Sequence, residues 1–161
     1  MSSSSPNARS FIFCELAGTT YAVDSQAVQQ IEMVQHITPV PNSLPFVDGV
    51  VFARGQVVPV VNLRARFGFP RAVHDERSRL MVVHHAGRTV GFLVDSAREF
   101  VTLPSEAVKP APEAVTGLSG KYLSGIATVA DRVILVLEIE EVLNFQDLHP
   151  TAASPVERAP S

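Results

Sequence analysis

The sequence predicts a mainly β protein: two side-by-side five-stranded barrels with a few short helices. Three observations carry that prediction. Short apolar runs rich in Val, bounded by Gly or by polar turns, recur from Phe11 to Leu137, and no helical period lasts beyond about three turns. The first half of the chain also returns in the second. Ala17-Gly-Thr-Thr-Tyr-Ala-Val-Asp24 reappears as Ala86-Gly-Arg-Thr-Val-Gly-Phe-Leu-Val-Asp95 with two extra residues, and Gly49 to Leu63 aligns without gaps on Gly125 to Ile139, an offset of 125 − 49 = 76. Pro39-Val-Pro41 echoes Pro110-Ala-Pro112. Each copy alone has a marginal core, so apolar burial between copies should supply much of the stability. Such a join leaves a groove walled by both halves.

Taken in order, Phe11–Leu16 and Thr20–Val23 read as strands around Ala17-Gly18-Thr19, and Asp24 or Ser25 caps one helical turn through Val28. Ile31, Met33 and Val34 continue as a strand, although Val28, Ile31 and Val34 also fit one face of a helix. Pro39, Pro41 and Pro45 break the chain before its organising stretch, Phe46 to Gly68. There Gly49–Ala53 and Val57–Val61 form a hairpin around Arg54-Gly55-Gln56. Asn62 caps a short helix, Leu63–Phe67, which Gly68 closes. The polar connection Pro70 to Ser78 is a natural boundary.

Arg79–His85 and Thr89–Val94 flank Ala86-Gly87-Arg88 as another hairpin. Phe100–Leu103 is a further strand, Ser105 and Glu106 open a helical turn, and Pro104, Pro110 and Pro112 mark a loop. Tyr122–Val129 and Val133–Leu137 flank Ala130-Asp131-Arg132, and Glu138–Leu143 reads as a last short helix. The expected organisation is therefore a mobile tail at 1–9, a first barrel at about 10–70, a second at about 78–146, and a mobile tail at 147–161. Exchange of end strands between the barrels stays open.

The chemistry on offer is sparse. With 161 residues, 13 Lys+Arg and a net charge of −3, the chain has no electrostatic case for wrapping nucleic acid. It has no apolar run near the ~20 residues a membrane helix needs, and its Ser-rich start lacks the order of a signal peptide. A soluble cytoplasmic protein without direct membrane insertion is expected. Cys14, the single cysteine, sits in Phe11-Ile-Phe-Cys14 and reads as a small buried hydrophobe. His84 and His85 are adjacent and face opposite sides of a strand, while His36, His74 and His149 lie in connections or the tail without acidic or cysteine partners at ligand spacing. Gly117-Leu-Ser-Gly120 lacks the lysine and helix of a phosphate loop.

Asp24 and Asp95 hold equivalent places in the repeat and read as caps of the turns that follow. A small hydrolase or ligand-binding barrel using Asp95 and His85 is the alternative from another class, to be tested by Asp95→Asn. No catalytic residue, cofactor or metal ligand is expected. Arg54 is the polar residue singled out: either a solvated turn arginine, or one that reaches a carbonyl or carboxylate beside the groove. Val28 and Ile31 are core residues by default and groove-lining residues if the barrels meet there.

Six segments in order carry a resemblance. They are Tyr21-Ala-Val-Asp24 followed by Val28-Gln-Gln-Ile31, Gly49-Val-Val-Phe-Ala-Arg-Gly55, Val58-Pro-Val-Val-Asn-Leu-Arg64, Gly91-Phe-Leu-Val-Asp95, Val108-Lys-Pro-Ala-Pro112 and Tyr122-Leu-Ser-Gly-Ile126. Together these resemble the CheW-like chemotaxis coupling proteins from about Ser10 to Phe145, leaving out only the tails. The resemblance implies two SH3-like barrels with no activity of their own. It also implies a scaffold joining the cytoplasmic tip of a chemoreceptor to the regulatory domain of the histidine kinase CheA. A same-fold adaptor for a non-flagellar pathway, such as pilus-driven motility, is the alternative.

By the same resemblance Val28 and Ile31 are groove positions, Gly49 enters the hairpin, Arg54 is the family's arginine, and Ala97 and Phe100 fall where the second barrel meets the groove. Two departures stand out. Gln30 replaces a glutamate able to pair with the arginine, with Glu32 one step further along the same face, and Asn62 replaces an aspartate cap.

Overall fold

The computed structural model describes residues 7–111 and 119–145. The expected tail at 147–161, most of that at 1–9, and the loop from Pro112 lie outside them. In chain order the elements are β1 (Ala8–Leu16), β2 (Thr19–Asp24), β3 (Val28–Met33), β4 (Val47–Ala53), β5 (Gln56–Asn62), α1 (Leu63–Arg66), β6 (Arg79–His85), β7 (Arg88–Val94), β8 (Ser96–Pro104), β9 (Leu123–Val129), β10 (Arg132–Leu137) and α2 (Ile139–Val142). Single 3-10 turns cover Ser25–Ala27, Ser105–Ala107 and Ser119–Tyr122. Ala8 and Arg9, expected in a tail, are paired strand residues opposite Pro104 and Leu103.

Two five-stranded sheets result, in the orders β8-β1-β2-β10-β9 and β3-β6-β7-β5-β4. Neither is a continuous block of chain. Each repeat gives its leading hairpin to the other: β1–β2 joins β8, β9 and β10, while β6–β7 joins β3, β4 and β5. The pairings match accordingly. β1 with β8 and β6 with β3 are antiparallel, whereas β2 with β10 and β7 with β5 are parallel. Four two-residue turns close the hairpins at Ala17-Gly18, Arg54-Gly55, Ala86-Gly87 and Ala130-Asp131, all eight residues at positive φ. That geometry matches the right-handed twist of the flanking strands.

The rival helical pattern at 28–34 has a structural cause. A β-bulge between Val28 and Gln30 adds one residue to β3, so Val28 and Ile31 fall on the same face of a strand at helical spacing. β8 carries the equivalent irregularity opposite Phe13 and Cys14, which hides its start. β8 begins at Ser96 rather than at Phe100.

Three apolar clusters divide the strand faces. Phe11, Phe13, Ala22, Leu103, Ala127, Ile134 and Val136 fill one barrel. Val51, Ala53, Val58, Val60, Leu80, Val82 and Leu93 fill the other. The third lies between them and draws Cys14, Leu16, Tyr21 and Val23 from one exchanged hairpin and Met81, Val83, Val90, Phe92 and Val94 from the other. Along β6 the alternation is strict: Leu80 and Val82 point into a barrel, Met81 and Val83 into the joint.

Glycine is obligatory where the second segment of each repeat folds over its hairpin. Thr38 pairs with Val50, and Lys109 with Ile126, as isolated bridges that close the barrels. The carbonyl of Thr38 would lie 2.1 Å from a Cβ at Gly49, whose φ is +145°, and that of Lys109 would lie 2.7 Å from one at Gly125. A side chain fits at neither position without moving backbone.

Polar ties complete the joint. Arg66 is 6% exposed. Its Nε donates to the Val142 carbonyl at 3.0 Å and its Nη2 to that of Asn144 at 3.0 Å, so it caps the end of α2. Its guanidinium lies 4.4 Å from the Phe46 ring centroid and 4.9 Å from that of Tyr122, and these two aromatics are repeat counterparts (122 − 46 = 76). Donation to carbonyls and stacking on rings together compensate the buried charge. Arg64 grips Asp95 with two bonds, Nε to Oδ1 at 2.9 Å and Nη2 to Oδ2 at 2.7 Å, while the Ala17 amide donates to the same carboxylate at 2.9 Å. Asp95 thus ties α1 to the β1–β2 turn. It is not the cap its sequence position suggests; Asp24 is one, accepting from the Gln26 amide at 2.9 Å.

Two outcomes follow. Gly49→Ala should cost about 2–4 kcal/mol in urea unfolding, whereas Gly18→Ala, also at positive φ but with open space around it, should cost about 1 kcal/mol. Burial alone would raise the Asp95 pKa, but the hydrogen bonds from Arg64 and Ala17 and the charge of Arg64 outweigh it and hold the carboxyl below its ordinary value. A carboxyl lowered on folding stabilises above its unfolded pKa, and that stability is lost as pH falls through the folded pKa. Asp95→Asn should therefore cost about 1–2 kcal/mol at pH 7. The gap to wild type should narrow below about pH 4.

Candidate functional site

With the exchanged hairpins at the centre, β3 and β8 become the outer strands that border the joint. Cross-strand partners share a face of the sheet. Val28 stands opposite Val83 and Ile31 opposite Met81 in one sheet, Ala97 opposite Cys14 and Phe100 opposite Ile12 in the other. Val83, Met81 and Cys14 are buried in the central cluster and Ile12 packs against it. The register therefore sets Val28, Ile31, Ala97 and Phe100 on the joint-facing side of the outer strands β3 and β8, the two rims of the joint, at equivalent places in the repeat. Val28 and Ala97 are partly covered, whereas Ile31 is 38% and Phe100 66% exposed, so apolar surface is left open along both rims.

Gly49 stands apart from the rims. It is buried in β4 beneath Thr38 and Ile37, and its contact is with backbone of its own barrel. Arg54 occupies the tip of the β4–β5 turn at φ +53° and is exposed. Its Nη1 donates to the side-chain carbonyl of Gln30 on β3 at 3.1 Å. Gln30 Nε2 in turn donates to Glu32 Oε2 at 2.6 Å, and Gln35 Nε2 to Glu32 Oε1 at 3.2 Å. In the other barrel Arg132, the counterpart of Gln56 (132 − 56 = 76), lies 3.1 Å from Glu99.

Met33, Phe52 and Val57 are among the exposed apolar side chains that escaped the sequence reading. Met33, 61% exposed, lies beyond Ile31 on the same strand, and Phe52 and Val57, 66% and 64% exposed, face each other across the β4–β5 hairpin. In an unbroken apolar run like Gly49-Val-Val-Phe-Ala53, composition does not tell which face stays uncovered.

The groups with intrinsic reactivity are occupied elsewhere. Burial, then the negative charges of Asp95 and Glu15, push the Cys14 thiol up to about 12, so it stays protonated at neutral pH. His84 Nδ1 shares a hydrogen bond with Thr89 Oγ1 at 2.8 Å, while His85 Nε2 lies 3.7 Å from Glu140. His85 and Asp95, the pair a hydrolase needs, line different recesses, one of about 430 Å³ beside Asp24 and Gln26 and one of about 20 Å³ beside Arg64. Among the described residues no three His, Cys, Asp or Glu side chains group as a metal site, and no helix is long and apolar enough to cross a membrane. What the described surface offers is exposed apolar side chains on β3 and β8 and an arginine hydrogen-bonded to Gln30 of β3.

Comparison with known proteins identifies the family of this fold. The model of the CheW-like domain matches residues 10–147. The chain is 30% identical over 138 residues to the chemotaxis protein CheW of Klebsiella aerogenes, covering 86% of this chain and 83% of that protein. To CheW of Thermotoga maritima it is 32% identical over 134 residues, covering 77% and 85%. Among solved structures, the scaffolding protein TtCheW of Thermoanaerobacter tengcongensis superposes with a TM-score of 0.78 at 26% identity, covering 84% of this chain and 92% of that one. With two exchanged five-stranded sheets, an apolar joint and a matched segment that spans almost all of the described residues, the chain belongs to the CheW-like domain family.

Proposed function

We propose that this chain acts as a non-catalytic coupling adaptor in chemotaxis, binding the cytoplasmic tip of a chemoreceptor and the regulatory domain of a CheA-type histidine kinase. It works in the cytoplasm and reaches the membrane array through its partners. The observation that supports this most is the pair of apolar rims, Val28 with Ile31 and Ala97 with Phe100, placed at equivalent positions on either side of one joint.

A helical tip suits these rims because an amphipathic helix presents apolar side chains every three or four residues, at the spacing needed to meet both of them. Ile31 and Phe100 supply the contact area, and Val28 and Ala97 form the floor against the central cluster. Arg54 adds a charge at the edge, where it governs association rate and orientation more than affinity. Gly49 acts indirectly, by letting the Thr38 segment close over the β4–β5 hairpin and so fixing the turn that carries Arg54.

Calorimetric titration tests the reading. The chain should bind a chemoreceptor cytoplasmic-tip fragment and a CheA regulatory domain at tens of micromolar or better, and failure to bind both would refute it. Phe100→Ser should weaken receptor-tip binding about tenfold, since losing one buried aromatic contact costs on the order of 1–2 kcal/mol at an interface. Arg54→Ala should weaken partner binding about three- to tenfold, with the melting temperature held within a degree or two. A melting temperature that collapses along with binding would make Arg54 structural.

A further inference from the structure

The two repeats end in equivalent helices that are closed in different ways. α1 supplies its own closure: the Ala65 amide donates to the Asn62 side chain at 3.1 Å, and beyond Gly68 the Phe69 amide donates to the Arg64 carbonyl at 2.7 Å. α2 borrows its closure. Glu138, the counterpart of Asn62 (138 − 62 = 76), makes no side-chain cap, and Asn144 stands where α1 has Gly68 (144 − 68 = 76). The carbonyls at the end of α2 go instead to two arginines. Arg66 donates to those of Val142 and Asn144, each at 3.0 Å, and to that of Glu141 at 3.4 Å, while Arg88 Nη2 donates to that of Leu143. Both guanidiniums also lie over the Phe145 ring, 5.4 and 5.0 Å from its centroid, and that ring packs 5.2 Å from Phe46.

These contacts cross from one sheet to the other. α2 follows β10, whereas Arg66 lies behind β5 and Arg88 on β7. A helix of four residues is far too short to hold its shape alone, and α2 belongs to neither sheet. It is kept in place by the burial of Ile139, Val142 and Leu143 in the joint and by the two arginines. When those contacts break, nothing local holds the helix, yet every strand pairing of both sheets remains. The arginines themselves differ. Arg66 is 6% exposed and seated between Phe46 and Tyr122, whereas Arg88 stands exposed at the start of β7, with water as an alternative partner.

We propose that α2 through Phe145 is a strap that opens and closes on the joint as one unit, with Arg66 as its seat and Arg88 as its latch. Opening lifts Phe145 and uncovers the Phe46 ring and the Arg66 guanidinium without separating a strand. The strap is a device of the fold: it does not rest on the coupling function, and its test uses no partner.

Native-state amide exchange of the full chain, measured at urea concentrations below the unfolding transition, provides that test. The Val142 and Leu143 amides, bonded to the Glu138 and Ile139 carbonyls at 3.0 and 2.9 Å, report on the strap, and the Val82 and Phe92 amides at the centre of a sheet report on global unfolding. In the wild type the strap amides should exchange about tenfold faster or more, with a weaker dependence on urea, because opening the strap exposes less surface than unfolding. Arg88→Met removes a contact that opening breaks, so the strap amides should exchange about tenfold faster still. Ile134→Val lies inside a barrel and touches a contact that survives opening. It should speed exchange at Val82 and Phe92 about three- to tenfold and leave Val142 and Leu143 at their wild-type rates. The inference is overturned if strap and sheet amides share one urea dependence in the wild type, if Arg88→Met leaves the strap rates unchanged, or if Ile134→Val speeds both sets alike.

Discussion

The strands of the β1–β2 and β6–β7 hairpins are apolar on both faces, and no single barrel satisfies them. On β6, Leu80 and Val82 fill a barrel while Met81 and Val83 face away from it; on β7, Leu93 and Val94 divide in the same manner. Folded alone, either barrel leaves that second face in water, at about 25 cal/mol for every Å² of apolar surface. Exchanging the hairpins between repeats removes the problem. It brings the two second faces together and makes the joint the largest apolar cluster among the described residues. The fold is thus one cooperative body, since each barrel needs a hairpin from the other repeat.

That arrangement decides where surface is left for partners. With the hairpins buried at the centre of each sheet, β3 and β8 are forced outward, and the bulge in each pairing turns successive apolar residues onto the side that borders the joint. The rims are consequences of the same alternation that builds the core. Polar ties then hold the joint in one geometry. Arg66 draws the end of α2 onto α1, and Asp95 links α1 to the first hairpin turn through Arg64 and the Ala17 amide. The repeat is broken at Arg66. Its counterpart is Val142 (142 − 66 = 76), whose carbonyl it binds, so one arginine serves both halves.

The strands were legible in the sequence because Val-rich runs alternate with turn residues, and so was the doubling, because Gly49 and Gly125 answer the same steric demand from Thr38 and Lys109. The exchange was not legible. A repeat shows that two units are alike but not which hairpin each one keeps, and identical patterns satisfy both connections. Residues 28–34 resisted assignment because a bulge mimics helical spacing. Arg66 gave no signal, since an arginine in the last turn of a short helix ordinarily sits in water. Asp95 misled for a related reason. A carboxylate after a strand is read as a local cap, and its partner here lies 31 residues away. Of the site, Val28 and Ile31 were read from the chain as core or groove-lining residues, Ala97 and Phe100 entered through family resemblance, and the register gives all four their partners in or against the central cluster.

The account depends on the joint between the barrels being both the core of the fold and the border of the docking surface. Amide chemical-shift mapping with a chemoreceptor cytoplasmic-tip fragment tests this most directly. The account predicts perturbations concentrated on β3 and β8, reaching the central cluster through Met81 and Cys14 and sparing the interiors of the two barrels. Perturbations confined to the β9–β10 hairpin or to the recess beside His85, with both rims silent, would contradict it.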